Sequence, residues 1–470
     1  MQQVLQDGIT LINDLLWSKL LIIMLIGAGL YFTFRSKFLQ VRLLGEMFRV
    51  LRESGGKNKD GISPFQAFCI SMAARVGTGN ITGVAIAIAL GGPGAVFWMW
   101  VLAVIGSVSA FVESTLAQIY KVRDGGGFRG GPAYYMEKGL KKRWMGILFA
   151  ILITLSFGLV FNAVQSNTIT VAFANSFGTD RLIVGLIMTV AFGAIIIGGV
   201  KRIAKMSEYI VIILAVLYIG IALFIVLTNI TQLPGVIGQI VKNAFGFDQI
   251  AGGSIGAALM NGIKRGLFSN EAGMGSAPNA AATATTSHPV KQGLIQAFGV
   301  LTDTLIICTS TAFIVLLSGA YKQQGLGGIE LTQAALSVHI GSWASGFLAI
   351  MVFLFAFSTL IGNYYYGETN IEFIKSSKGW LWAYRIGVLA MVMFGAVAKV
   401  QLVWDMADLF MGLMVIVNLI AIVLLARFAF GALADYMRQK KAGQDPVFRS
   451  SSIRGLTDTE CWDDQPSTKS

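Results

Sequence analysis

Long uninterrupted apolar runs, rather than short alternating ones, dominate the hydrophobic pattern of this chain. Such runs predict membrane-spanning helices, because roughly 20 apolar residues cross a bilayer core about 30 Å thick. A dyad alternation would have marked a membrane barrel instead. The pattern predicts about eleven spans, near residues 15–34, 63–90, 92–119, 146–176, 181–199, 207–229, 254–286, 290–319, 344–373, 380–398 and 404–430. The final stretch, 431–470, is polar and reads as a tail that need not fold.

Composition leads to the same class. Hydrophobic residues make up 55% of the 470 and Asp, Glu, Lys and Arg only 13%, about half the charged share of an ordinary soluble domain. With a mean hydropathy of +0.69, too little polar surface exists to clothe a water-soluble globule. The expected fold class is an all-α polytopic membrane protein. Asp7 and Asp14 precede the first lysine, Lys19, and no small-residue cleavage site follows, so the first run reads as a retained helix rather than a signal peptide.

Net charge is +12, from 36 Lys+Arg against 24 Asp+Glu, and its placement decides what it means. Arg35, Lys37, Arg42, Arg49, Arg52, Lys57 and Lys59 lie between the first two spans. Lys121, Arg123, Arg129, Lys138, Lys141, Lys142 and Arg143 lie between the third and fourth. Lys201, Arg202 and Lys205 follow the fifth, and Lys375 and Lys378 follow the ninth. The intervening loops carry little beyond Arg181, Lys242, Lys322 and Lys399. Alternation of this kind predicts an N-terminus outside and a cytoplasmic tail. Nothing resembles a basic face with base-stacking elements, so no nucleic-acid partner is expected. Three scattered cysteines and two histidines support neither a disulfide framework nor a metal cluster.

Residues 1–62 then form an extra helix and basic linker, ahead of two five-span blocks at 63–229 and 254–430 and a tail at 431–470. Five is odd, so the second block enters from the opposite side; inverted halves of this kind are the architecture of many secondary transporters. Their binding sites lie where the hydrophobic segments at matching places are interrupted. The first helix of block one carries Ala73-Ala74-Arg75-Val76-Gly77-Thr78-Gly79-Asn80, and that of block two carries Gly266 through Gly275. Breaks there expose N–H groups, which favour a carboxylate, and C=O groups, which favour an ammonium or sodium ion. Small residues also serve close helix packing, although two such clusters in corresponding positions argue for more than packing.

Three stretches carry a resemblance: Arg75-Val76-Gly77-Thr78-Gly79-Asn80-Ile81, Gly130-Gly131-Pro132-Ala133-Tyr134-Tyr135-Met136, and Gly266-Leu267-Phe268-Ser269-Asn270-Glu271-Ala272-Gly273-Met274-Gly275-Ser276-Ala277-Pro278. Together the chain, over roughly 15–430, resembles the alanine or glycine:cation symporter family of the amino acid-polyamine-organocation superfamily. The resemblance implies the five-plus-five inverted-repeat fold of bacterial leucine transporters with one extra N-terminal helix, in the bacterial inner membrane. It also implies sodium-coupled, sometimes proton-coupled, uptake of alanine or glycine, with glutamine preferred by some members. Sodium would be co-transported, and no organic cofactor is implied.

Carried over by motif, Thr78 and Gly79 would offer N–H groups to the substrate carboxylate, with Asn80 beside them. Phe268, Ser269, Met274 and Gly275 would line the pocket, and Gln165 would contact the substrate. The resemblance assigns sodium to the carbonyls of Ala73, Val76 and Phe355 and the hydroxyls of Ser358 and Thr359. Read without it, those two hydroxyls would bond carbonyls of their own helix. Arg75, Glu113, Lys264, Arg265, Glu271 and Asp303 are ionisable residues inside apolar spans and hence functional candidates. Glu271 is placed to pair with Arg75, Lys264 and Arg265 to reach an outer vestibule by snorkelling, and Asp303 to carry a proton if coupling is to H⁺. The Gly125–Gly131 stretch lacks a phosphate-loop ending and reads as a cytoplasmic connection that would serve as a hinge for inner gating. A channel would need a continuous polar stripe and an enzyme a nucleophile–base or metal constellation; neither pattern is present.

Overall fold

The computed structural model describes residues 2–54, 62–196, 200–246 and 255–462. Lys57, Lys59, residues 197–199, residue 254 and the end of the tail from 463, all invoked above, lie outside the described residues. Among the described residues the chain is almost wholly helical. Helix α1 (Gln6–Arg35) precedes the short α2 (Leu44–Glu53) and a bent pair, α3 (Pro64–Arg75) and α4 (Gly79–Gly91), inclined at 48°. Next come α5 (Gly94–Ile119), the short α6 (Pro132–Lys138), α7 (Arg143–Phe177), α8 (Arg181–Ile196) and α9 (Val200–Thr228). A bend of 104° separates α9 from α10 (Leu233–Ala244). The second half has α11 (Ile255–Asn270), α12 (Ala277–Ala281), α13 (Pro289–Ser318), α14 (Gly328–Ile340), α15 (Trp343–Ile374), α16 (Lys378–Val397) and α17 (Val400–Lys441). Seven of these helices are long and apolar enough to cross a membrane, or nine if each bent pair is one span, among the described residues.

Helix α5 is buried along most of its length and packs against α11 and α13, while α7 packs against α15 and α16. Backbones come this close because small residues stand at the crossings. A Cβ on Gly262 would lie 2.4 Å from the Ala95 carbonyl oxygen, and one on Gly395 would lie 2.2 Å from that of Ala163. The Gly125–Gly131 connection is a hairpin, β1 (Val122–Asp124) on β2 (Gly127–Arg129), turned by Gly125 and Gly126 at positive φ.

Four features depart from the hydrophobic pattern. Helix α1 starts well before residue 15, because Asn13 and Trp17 hydrogen-bond the Asp405 and Asp408 carbonyls at 2.9 and 3.2 Å. Helices α10 and α14 are too short to span, so a pattern tuned to roughly 20 residues passes over them. Helix α17 continues past 430 to Lys441, held to α2 by the Tyr436 hydroxyl on Glu46 at 2.6 Å and by a Lys440–Glu46 ion pair. Finally, the tail is folded as far as Trp462. Phe448 N–H donates to the Ser287 carbonyl at 2.9 Å, Trp462 Nε1 donates to the Gln118 carbonyl at 2.7 Å, and Lys291 pairs with Asp445 at 2.7 Å. Asp458 and Glu460 meet Lys141 and Lys138. The segment therefore straps together loops on the face that carries the basic residues.

His288 sits under that strap, its ring edge-on to Tyr436 and Phe448 and its Nε2 3.5 Å from Asp435. Burial pushes its imidazole down to about 4. A folded-state pKa below the unfolded value of about 6.5 stabilises the neutral ring, and that stability is complete above pH ~6.5 and lost as pH falls toward 4. Hydrogen exchange across 445–462, corrected for intrinsic rates, should therefore speed up between pH 7 and pH 4.5. His288→Phe should flatten that dependence.

Candidate functional site

Two helix breaks face each other at the centre of the molecule. Helix α3 ends at Arg75, Val76 is extended, and the chain turns helical again at Gly79. Helix α11 ends at Asn270, and the chain then passes through Glu271, Gly273 and Gly275 at φ of 58°, 79° and 86° before α12 begins. Two of those three positions are glycine, which takes positive φ without a Cβ clash. Each break leaves backbone groups that water cannot reach, so side chains must satisfy them.

Around the first break they do. Asn80 Oδ1 accepts from Gly77 N–H at 3.0 Å and Gln165 Oε1 from Thr78 N–H at 3.3 Å. Asn80 Nδ2 turns the other way, to Ser269 Oγ at 2.9 Å and Asp303 Oδ1 at 2.7 Å, while Ser269 Oγ donates to Asp303 Oδ2 at 2.7 Å. Residues Asp303–Cys308 form a wide π-type turn, and Cys308 Sγ stands 3.1 Å from Ser269 Oγ. The two breaks thus share one buried polar knot. Gly79 lets them touch, since a Cβ there would lie 3.0 Å from Ser269 Cα and 3.1 Å from the Phe268 ring. Above them Phe157, Phe161, Phe268 and Trp404 form a chain of rings with centroids 4.5, 4.6 and 4.8 Å apart.

On the other side of the first break, the Thr359 hydroxyl lies 2.8 Å from the Ala73 carbonyl oxygen, 3.3 Å from that of Val76 and 3.1 Å from that of Phe355. Ser358 Oγ donates to the Phe355 carbonyl at 2.7 Å. The own-helix bonding expected of these hydroxyls is present, yet Thr359 also reaches across to α3. Gly77 must be glycine here, because a Cβ would fall 2.3 Å from Thr359 Oγ1.

Thr78, Gly79, Asn80, Gln165, Phe268 and Ser269 are therefore brought together, as are Ala73, Val76, Phe355, Ser358 and Thr359. Met274 and Gly275 belong to a different cluster. The Glu113 carboxylate accepts from Gly273 N–H at 3.3 Å, Gly275 N–H at 3.1 Å and Asn418 Nδ2 at 2.8 Å. A Cβ on Gly275 would lie 2.8 Å from the Phe149 ring. The expected Arg75–Glu271 pair does not form. Among the described residues Arg75 Nη1 reaches only the Gln296 carbonyl, at 3.5 Å, and Glu271 accepts from Ser276. Lys264 and Arg265 do not snorkel either; both turn inward onto Asp408, at 3.6 and 2.5 Å. Asn418, Trp404 and Asp408 were missed by the sequence reading. For Asp408 the signal was available, as an acid inside the last apolar span.

The sodium:alanine symporter family model matches residues 1–450. This chain belongs to that family. It is 73% identical over 463 residues to the probable sodium/glutamine symporter GlnT of Bacillus subtilis, covering 98% of this chain and 97% of that one. It is 58% identical to the amino-acid carrier protein AlsT of the same organism, covering 99% of each. Among solved structures it is similar to MhsT in complex with L-phenylalanine, with a TM-score of 0.54 at 14% identity over 87% of this chain and 94% of that one. That likeness concerns the fold alone, which is of the leucine-transporter type. Membership makes the chain a multi-pass membrane carrier coupled to sodium rather than an enzyme.

Asn80 satisfies groups on both breaks at once. Asn80→Ala should lower stability by about 1–3 kcal/mol through the orphaned Gly77 N–H and Asp303 oxygen. Asn80→Asp should cost more, as it sets a second carboxylate against Asp303. Denaturant unfolding of the purified variants in detergent checks both.

Proposed function

We propose that the protein imports a neutral amino acid with sodium by alternating access, and that the two clusters at the first break are its sodium and substrate sites. The observation that carries this is the crowding of oxygens at Thr359. Its hydroxyl has one proton to donate, yet three carbonyl oxygens lie within 3.3 Å. Ser358 serves the Phe355 carbonyl, so of the Ala73 and Val76 dipoles one points at an oxygen that cannot satisfy it, whereas a hard cation bound by several oxygens satisfies all of them. Sodium there, held by Ala73, Val76, Phe355, Ser358 and Thr359, ties α3 to α15 across the break.

The substrate carboxylate takes the place of Gln165 on the Thr78 N–H and adds that of Gly79, at the N-terminal end of α4 where anions are favoured. The Thr78 hydroxyl, buried without a partner, completes the contact. The ammonium faces the carbonyl end of α11 at Phe268 and Ser269. Met274 and Gly275 shape the unwound strand that Glu113 holds. Eleven spans, with inverted halves at 63–229 and 254–430, place both breaks at matching positions. Loop charge orients the N-terminus outward and the tail toward the cytoplasm of a bacterial cell. The family description favours alanine, and the name of the 73% identical relative favours glutamine.

Proteoliposomes with an inward sodium gradient should accumulate radiolabelled alanine or glutamine, and gramicidin should abolish the accumulation. Thr359→Val should raise the sodium concentration for half-maximal uptake about tenfold, equivalent to about 1.4 kcal/mol, while Thr359→Ser stays near wild type. Folded protein that accumulates no neutral amino acid under a sodium gradient would overturn the reading.

A further inference from the structure

One turn before the second break lies a buried charged cluster that neither the sodium cage nor the polar knot uses. Arg265 and Lys264 converge on Asp408 Oδ2, and the Arg265 guanidinium lies 4.7 Å over the Trp404 ring. Arg265, Asp408 and Trp404 are each at most 4% exposed. The cluster borders the candidate substrate site on two sides. The Trp404 ring is 4.8 Å from Phe268. A Cβ on Gly83 would lie 3.8 Å from Trp404 Cη2, 3.9 Å from the Thr78 carbonyl oxygen and 4.0 Å from Arg265 Cδ. Helical spacing produces this, since Arg265 and Phe268 share a face of α11 and Trp404 and Asp408 a face of α17.

The cluster holds unused hydrogen-bonding capacity. Trp404 Nε1, Arg265 Nε and Nη1, and Asp408 Oδ1 are all buried without a partner among the described residues. Each such group costs about 1–3 kcal/mol if left unmet, so three donors and one acceptor on neighbouring residues beside the candidate substrate site call for a ligand that meets them. A side-chain carboxamide offers that complement, with a carbonyl oxygen for the indole and guanidinium and an NH₂ for the carboxylate. Charge argues for a neutral group as well. Lys264 and Arg265 stand against Asp408 and, one turn earlier on α17, Asp405, so a substrate carboxylate would add an uncompensated buried charge.

We propose that Trp404, Arg265 and Asp408 read the side-chain carboxamide of glutamine and so determine the protein's specificity among neutral amino acids. The inference rests on the symport reading above, with the α-carboxylate at Thr78 and Gly79; the substrate side chain runs along the Phe268 ring toward Trp404.

The test compares sodium-driven uptake of alanine, glutamine and glutamate γ-methyl ester by wild type and Trp404→Phe in proteoliposomes. Phenylalanine keeps a ring against Phe268 and under Arg265 and removes only the indole donor. In Trp404→Phe the ratio of glutamine to alanine uptake efficiency (Vmax/KM) should fall about tenfold. Wild type should prefer glutamine over the ester, which keeps the carbonyl but offers Asp408 no N–H, by a similar factor. If the variant does not fold, the ester comparison on wild type decides alone. Equal losses for alanine and glutamine in the variant, or an ester taken up as well as glutamine, would overturn the inference. Wild type that accumulates alanine but not glutamine would overturn it too, leaving the symport reading intact. Accumulation of neither amino acid would sink that reading and the inference with it.

Discussion

The interaction on which this structure depends is the hydrogen bond from a side chain to a backbone group at a broken helix. In a membrane interior, an N–H or C=O without a partner costs several kcal/mol, and two helices that stop half-way leave many of them. Asn80 and Gln165 cover the N–H groups of Gly77 and Thr78, and Glu113 covers those of Gly273 and Gly275. Thr359 reaches the carbonyls of Ala73 and Val76 from another helix, with one proton to share between them. These buried polar side chains lie where the backbone needs them, and the groups they satisfy are the ones a zwitterion and a cation would borrow.

That arrangement explains why the buried charges sort into separate roles. Asp303 takes hydrogen bonds from both breaks and holds them in register. Glu113 and Asn418 fix the unwound strand from behind, and Asn418 is itself gripped by Tyr135 of α6, so the second break is linked to the glycine-rich connection. The Arg265–Asp408 pair stands on the far side of Phe268 with hydrogen-bonding capacity left over. Burying a charge pair is weak evidence of stabilisation, and this pair leaves donors and an acceptor unmet beside the second break.

Packing places these groups by removing side chains rather than adding them. Gly77, Gly79, Gly262 and Gly395 each stand where a Cβ would collide with a neighbour. The wide turn at Asp303–Cys308 brings two residues five apart to one face, so that both meet Ser269. Turns of this kind often accompany functional sites. They also shift a helical register that even spacing would misread.

What the sequence determined by itself was whatever short-range chemistry dictates: long apolar runs, alternating loop charge, and glycine-rich interruptions that no helix carries through. The locations of both breaks were legible because motif and local backbone preference coincide, and the grouping of Ala73, Val76, Phe355, Ser358 and Thr359 came from the family resemblance alone. The tertiary structure alone decided which long-range partners the polar groups found. Arg75 and Glu271 suggest an ion pair by sequence, yet each is satisfied or left open by its own surroundings. Lys264 and Arg265 turn inward because Asp408, more than 140 residues away, stands on the facing helix. The polar tail looked free because its composition is hydrophilic, and it folds because Ser287, Gln118 and Lys291 offer it partners from loops far along the chain. Such pairings depend on the distance between helices in space, which local pattern does not encode.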